Sequence, residues 1–126
     1  MLLHEREAAV DVRLRALLSM VQQDRGLTLP APHIQYVTRV KYAGKAYYYR
    51  NTIVLSRDFL ERNFEDMICN TVPHELAHLI TFQLFPRAKP HGFTWQSIMA
   101  DWFHLDPLRC HYYDTRFQTV DLSDLL

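Results

Sequence analysis

The chain has 126 residues, which suits one domain with a single hydrophobic core. Hydrophobic residues make up 48% of it and only three are glycines, which excludes a disordered or collagen-like protein. Lysine plus arginine and aspartate plus glutamate number 14 each, so bulk charge does not indicate a nucleic-acid binder, although a local basic patch would suffice. Two cysteines make no disulfide framework, and we recognise neither a membrane span nor a signal peptide. We therefore expect a cytoplasmic protein with reduced thiols.

The predicted elements run from a helix through a small sheet to further helices, which is an α+β arrangement. Apolar residues at helical spacing predict an amphipathic helix over residues 4–25, and Gly26 is a suitable stop. Strands are predicted over 33–40, 46–50 and 52–55, because these segments are rich in β-branched and aromatic residues. We expect the three strands to form an antiparallel sheet.

The second half of the chain is predicted to be mainly helical. A long helix is expected over residues 64–85, with Pro73 inside it. Proline removes a backbone hydrogen bond there, so the helix should kink or restart at this position. A further helix is predicted over residues 94–103, after a loop that contains two prolines.

One pentapeptide of the long helix indicates chemistry more directly than any other stretch. Residues 74–78 have the pattern H-E-x-x-H. Positions i and i+4 of a helix share one face, so the imidazoles of His74 and His78 can bind the same metal ion. Glu75 projects close by, where it can take a proton from a metal-bound water. The pattern predicts a zinc-dependent protease; the alternative is two histidines and a glutamate on an ordinary solvated helix face.

A catalytic zinc ion needs about three protein ligands and one open position for water, so one ligand is still missing. The metzincin pattern is absent, because Thr81 and Leu84 occupy its glycine and histidine positions, and no glutamate follows Glu75. The remaining candidates are His91, His104, His111, Asp101, Asp106 and Asp114. His91 is favoured over the others, because zinc prefers imidazole and a short loop framed by proline and glycine can return this residue to the motif helix.

The residues around the motif resemble the SprT family of zinc metalloproteases, which is related to the eukaryotic protease Spartan. The resemblance is carried by residues 72–79 and by the run Pro90-His91-Gly92 with Trp95 three residues later. The segment over 42–56 also resembles the sheet that precedes the motif in that family. The similarity covers about residues 30–115 of a single domain spanning 1–126, and it leaves 116–126 as a tail.

The resemblance implies a small zincin-like fold and a function. His74, His78 and His91 would bind one zinc ion, and Glu75 would be the catalytic base. The implied activity is that of a metalloendopeptidase on protein substrates, including proteins bound or crosslinked to DNA. A non-proteolytic zinc-containing module that binds nucleic acid or protein is the alternative, although such a module has no use for Glu75. The family's cysteine-rich zinc ribbon has no counterpart beside Cys110, so we expect no second zinc site.

Residues 36–50 combine tyrosines with lysines and arginines. Aromatic rings can stack on the bases of single-stranded DNA while cations contact its phosphates. The candidate nucleic-acid contacts are Arg39, Lys41, Lys45, Tyr47 and Arg50. An ordinary two-faced hairpin would use the same residue types, since tyrosine is favoured in strands.

A polypeptide substrate is expected to lie extended along an edge of the sheet, beside the strand at 46–50 or the strand at 52–55. Main-chain pairing of that kind reads little side-chain identity, which suits a permissive protease. The candidates for stabilising the oxyanion are His111, Tyr112 and Tyr113. The sequence indicates no oligomeric state.

Overall fold

Residues 1–107 are described by the computed structural model, and they form the α+β fold expected from the sequence. A long N-terminal helix precedes a three-stranded sheet, and the helix that carries the motif follows the sheet. The helices are α1 (Leu3–Arg25), α2 (Arg57–Arg62), α3 (Phe64–Asp66), α4 (Val72–Leu84) and α5 (Phe93–Ser97). The strands are β1 (His33–Val37), β2 (Gly44–Tyr47) and β3 (Thr52–Ser56). No helix of the described residues is both long enough and apolar enough to cross a bilayer.

Helix α1 packs against the rest of the domain through one apolar stripe. Val10, Leu14, Leu17 and Val21 recur at intervals of three and four residues, and all four are buried in the core. Gly26 ends the helix with a φ of 67°, a left-handed conformation that glycine adopts without steric cost. The predicted first helix is confirmed.

The sheet is mixed, so the expectation of antiparallel pairing throughout is corrected. Strand β3 lies in the middle, between β1 and β2, and all five of its residues are buried. Strand β2 runs antiparallel to β3, whereas β1 runs parallel to it. The chain reverses direction between β1 and β2 and again between β2 and β3. After two reversals β3 has the direction of β1, and it pairs with both neighbours.

Two predicted strands end earlier than expected, the first before a left-handed residue and the second at a 3₁₀ turn. Strand β1 ends at Val37 rather than at residue 40, and Arg39 has a φ of 59°. In place of a strand over 46–50, β2 ends at Tyr47, and Tyr48–Arg50 form a 3₁₀ turn. The turn ends at Asn51 with a φ of 45°. A positive φ is incompatible with the extended backbone of a strand.

The helix predicted over 64–85 is divided by a π-helical turn. Helix α3 is a single turn, and the π-helical segment Met67–Thr71 joins it to α4. Pro73 lies in the first turn of α4, where the missing proline N–H has least effect on helical hydrogen bonding. Regular α-helical geometry therefore restarts just before the motif, which is one of the two outcomes predicted for Pro73.

The centre of the domain is α4, whose residues from Val72 to Thr81 are all buried. Helix α1, strand β2 and the segment after α5 all contact it. The last predicted helix, over 94–103, is α5 followed by a second π-helical turn, Ile98–Trp102. Trp95 and Met99 from this region are buried in the same core. Motif residues are therefore held by packing on several sides.

Candidate metal centre

Three imidazoles converge beside α4, and we call His74, His78 and His91 the histidine cluster. The Nε2 atom of His78 lies 3.2 Å from that of His74 and 2.7 Å from that of His91, and the third pair is 3.1 Å apart. Nitrogens bound to one tetrahedral zinc ion at ~2.0–2.1 Å would be about 3.3 Å apart. The cluster is therefore placed to hold one metal ion. Residues 1–107 contain no other group of three potential ligands that meets the same geometric test.

Two members of the cluster come from one face of α4, as the motif predicts. His74 and His78 are one turn apart, and their rings meet edge to face with centroids 4.8 Å apart. Both side chains are buried. The rigid helix thus fixes the separation of the first two nitrogens without help from a loop.

The third member, His91, reaches the other two from the loop that follows α4. This residue has a φ of 59°, a left-handed conformation that histidine adopts more often than most residues. The Gly92 N–H donates to the Lys89 carbonyl at 3.0 Å, which closes the turn. The Gln96 amide donates to the His91 carbonyl at 2.9 Å and ties the loop to α5. These bonds hold the loop in the conformation that returns the imidazole to the cluster.

The other proposed ligands do not join the cluster. Asp101, His104 and Asp106 are exposed, and the nearest carboxylate to His104 is that of Asp24, 3.9 Å from its Nε2 atom. His111 and Asp114 lie outside the described residues, as do Tyr112 and Tyr113. Of the candidates that the structure describes, His91 alone completes the set.

The environment of the cluster favours neutral imidazole, the form that binds metal. Burial, followed by the neighbouring His91, lowers the pKa of His78 to about 3. A neutral ring keeps a lone pair on Nε2, and metal binding requires that lone pair. The donor set of three imidazoles is one that zinc accepts.

Trp95 contacts all three histidines, a role that the sequence analysis did not identify. Its indole ring is stacked on His78 with centroids 5.4 Å apart, and it meets His74 and His91 edge to face at 4.9 and 4.8 Å. Its Nε1–H donates to the His74 carbonyl at 3.2 Å. A tryptophan at helical spacing usually indicates the core alone. Here the ring is both buried and the packing surface of the cluster.

Glu75 is buried beside the cluster, with Oε2 3.8 Å from Nε2 of His74. Strand β2 passes close to it at Gly44. A methyl group on Gly44 would lie 3.3 Å from Cγ of Glu75 and 3.0 Å from side-chain atoms of both Leu55 and Thr71. Glycine within a strand often marks such a close approach. Gly44 itself is the signal in the sequence that could have indicated this packing.

The five candidate nucleic-acid contacts, Arg39, Lys41, Lys45, Tyr47 and Arg50, are all exposed, and we call them the basic face. They lie on β2 and on the segments just before and after it. Lys45 and Tyr47 share one side of the strand, because alternate residues point the same way. Two of the cations lie over tyrosine rings: Lys45 Nζ is 4.5 Å from the centre of Tyr42, and Arg50 Cζ is 4.9 Å from that of Tyr47.

The sheet offers an edge beside the cluster, but only one of the two strands suggested for the substrate can supply it. The strand predicted at 52–55 is the central β3, whose hydrogen-bonding groups pair with strands on both sides. Within residues 1–107, β2 pairs with another strand on one side only. Since β2 also passes Glu75 at Gly44, it is the edge nearest the motif.

Comparison with known proteins matches residues 14–113 to the SprT-like family. Protein SprT of Pasteurella multocida is 48% identical over 87 residues, which are 69% of this chain and 53% of that protein. Protein SprT of Actinobacillus succinogenes is 39% identical over 104 residues, which are 82% of this chain and 61% of that protein. The matched region thus spans little more than half the length of these curated relatives. No solved structure matches the chain significantly.

Proposed function

Because this chain belongs to the SprT-like family and its histidine cluster is placed to hold a metal ion, we propose that it is a zinc-dependent endopeptidase. The observation that carries the proposal is the position of Glu75. A site that bound zinc only for structure would gain nothing from a buried carboxylate 3.8 Å from one of the ligand nitrogens. A hydrolase needs a base at that position.

His74, His78 and His91 would hold the zinc ion through their Nε2 atoms. Bound zinc supplies Lewis acidity and makes a coordinated water acidic near neutral pH. Three ligands from the described residues suit a catalytic zinc ion, since structural zinc sites typically have four. Trp95 would keep the imidazoles in place and exclude bulk water from their buried side.

Glu75 would act as the general base and then as the general acid. Its carboxylate would take a proton from the attacking water and deliver it to the nitrogen of the departing amine. The side chain is buried and Gly44 packs against its Cγ, which limits the positions that the carboxylate can adopt. Such restriction favours proton transfer, because the base must lie within hydrogen-bond reach of the proton.

The substrate would be an extended polypeptide that pairs with the open edge of β2. Main-chain hydrogen bonds along an edge strand bind a peptide without reading most of its side chains. β2 runs past Glu75 at Gly44, so a peptide on that edge would pass near the cluster. An unfolded or locally extended protein segment is therefore the substrate form that the geometry supports.

We also propose that the protein substrates include proteins bound or crosslinked to DNA. The support for this is the basic face, which borders the same strand and exposes four cations and a tyrosine. Cations and aromatic rings on one surface suit single-stranded DNA, whose phosphates and bases they can contact together. Lys45 and Tyr47 point away from the side of β2 on which Gly44 packs against Glu75, so DNA on that outer side would leave the main-chain groups at the edge of β2 available to a peptide.

The decisive experiment compares wild type with Glu75→Gln and with Glu65→Gln, an exposed carboxylate on α3. Metal content is measured by mass spectrometry, and cleavage is measured on casein and on a DNA-bound protein. We expect all three proteins to retain one zinc ion per chain. Glu75→Gln should lose at least ~10²-fold in cleavage rate, which is the contribution of a general base, and Glu65→Gln should lose nothing.

Each contrary result would refute a different part of the proposal. Full cleavage by zinc-loaded Glu75→Gln would show that this carboxylate is not the base. A zinc-loaded wild-type protein that cleaves neither casein nor a DNA-bound protein would favour the non-proteolytic binding module. A wild-type protein that binds no zinc would contradict the proposed site itself.

A further inference from the structure

A cavity of about 210 Å³ lies directly beside the histidine cluster. One wall is His78, and the others come from the 3₁₀ turn after β2, from α4 and from the loop that leads to His91. The lining side chains besides His78 are Tyr48, Thr81, Phe82, Pro86, Ala88 and Pro90. His78 therefore contributes to both the cluster and the cavity: its Nε2 atom faces the cluster and its ring forms part of the cavity wall.

The cavity is apolar in character. Tyr48 and Phe82 form a stacked pair with centroids 4.9 Å apart and an interplanar angle of 13°. The hydroxyl of Thr81 donates to the Ala77 carbonyl at 2.7 Å, so its proton is already used inside the helix. Among residues 1–107, no lysine, arginine, aspartate or glutamate contributes to the lining. A charged group entering the cavity would lose hydration and find no opposite charge.

We propose that this cavity binds one large apolar side chain of the polypeptide substrate, of the size of leucine, methionine or phenylalanine, next to the bond that is cleaved. The proposal rests on the proposed endopeptidase function. An apolar cavity of about 150 Å³ can admit benzene, so the volume here suits a single such side chain. Because His78 lines both places, a residue whose side chain fills the cavity would have its main chain close to the metal ligands.

The cavity would add side-chain selectivity to substrate binding that otherwise depends on the main chain. Main-chain pairing with β2 can bind any extended peptide. A side chain in the cavity would stabilise one register of that peptide over the others. Tyr49 extends the apolar surface, since its ring is 92% exposed and meets Phe82 edge to face at 5.2 Å. Cuts should therefore cluster at one fixed offset from large apolar residues.

The test fills the cavity from its loop side. Ala88→Phe introduces a ring into the lining, and Arg87→Phe introduces the same ring at the adjacent exposed position, which does not line the cavity. The bonds cut in casein are identified by mass spectrometry. We expect wild type and Arg87→Phe to cut preferentially beside leucine, methionine or phenylalanine, and Ala88→Phe to cut these bonds roughly tenfold more slowly.

A binding measurement separates this proposal from the catalytic one. Glu75→Gln protein is titrated with two labelled Gly/Ser peptides, one with a single central leucine and one with serine in its place. The leucine peptide should bind roughly tenfold more tightly, and Ala88→Phe in the same background should remove the difference. If Ala88→Phe does not fold, Phe82→Ala replaces it. That variant enlarges the cavity and should shift the preference toward a tryptophan peptide.

The outcomes are distinguishable. A leucine preference in binding without any cleavage by wild type would leave the cavity assignment standing and overturn the protease. Cleavage at bonds of every type, with equal binding of both peptides, would overturn the cavity assignment alone. A leucine preference that survives in folded Ala88→Phe would also overturn it, because the side chain would then bind elsewhere.

Discussion

The histidine cluster and the basic face differ in how the fold holds their residues. In the cluster, each imidazole contacts the other two and Trp95, and two of the three rings are buried. On the basic face, the side chains are exposed, and Lys45 and Arg50 lie over two different tyrosine rings. Metal binding requires ligand atoms that lie within a few tenths of an ångström of their ideal positions, whereas contact with a charged polymer requires only a surface of opposite charge. A single substitution should therefore cause a large loss of binding in the cluster and a small one on the basic face.

The largest effect is expected from removing the loop-borne member of the cluster. His91→Ala leaves two ligands on α4, and we expect zinc affinity to fall by more than about 100-fold, beyond what the loss of a supporting residue costs. Affinity is measured by competition with a chromophoric chelator. His104→Ala, an exposed histidine, is the control and should bind zinc as wild type does. Undiminished affinity in His91→Ala would refute the ligand set.

A smaller effect on the same measurement is expected from Trp95→Phe. The variant keeps a ring against the cluster but loses the 3.2 Å bond from Nε1 to the His74 carbonyl. Partners that orient metal ligands are typically worth ~10–100-fold in affinity, and a lost buried hydrogen bond costs ~1–3 kcal/mol of stability. Trp102→Phe is the control, because that ring lies under the Arg25 guanidinium, 4.6 Å from its Cζ. Equal zinc affinity in the two variants would limit Trp95 to ordinary packing.

Gly44→Ala should affect the base rather than the metal. The added methyl group would lie 3.0 Å from side-chain atoms of Leu55 and Thr71, and overpacking of this kind costs ~1–3 kcal/mol. The clash is relieved by a shift of β2 or of the Leu55, Thr71 and Glu75 side chains, and a small displacement of the base should lower cleavage about tenfold while zinc is retained. Denaturant unfolding and casein cleavage are measured together. Gly26→Ala also loses stability, through its φ of 67°, but should keep wild-type cleavage.

These positions also separate what the sequence could predict from what it could not. His74 and His78 follow from helical periodicity, and His91 follows from a short loop and the preference of zinc for imidazole. The resemblance to the SprT family, read from the same residues, is confirmed. Each of these inferences needs only residues that are near one another in the sequence. The role of Trp95 was missed because a tryptophan that packs on ligands and one that packs on aliphatic residues have the same spacing.

The sheet was harder to predict for a related reason. Pairing between β1 and β3 joins residues such as His33 and Thr52, and nothing local specifies that pairing. Short strands with tight reversals are consistent with several strand orders. Arg39, which follows β1, is a residue type that does not indicate a left-handed backbone, whereas Asn51, which ends the turn after β2, is a type that adopts it more often than most. Strand order nevertheless decides which edge is open to a substrate.

The smallest change per residue is expected on the basic face, and there the effects should add. If Lys41 and Lys45 each contact a phosphate of single-stranded DNA, replacing either with alanine should reduce the salt dependence of binding, the slope of log K against log salt, by ~0.7. The double variant should lose about twice as much, because exposed cations that do not share a partner act independently. Fluorescence anisotropy with an oligonucleotide over a range of salt concentrations measures the slope, with Arg15→Ala on α1 as the control. Zinc affinity should be unchanged in all of these variants. Wild-type protein that does not bind DNA at low salt, or a slope that is unchanged in the double variant, would show that the basic face is not a DNA-binding surface.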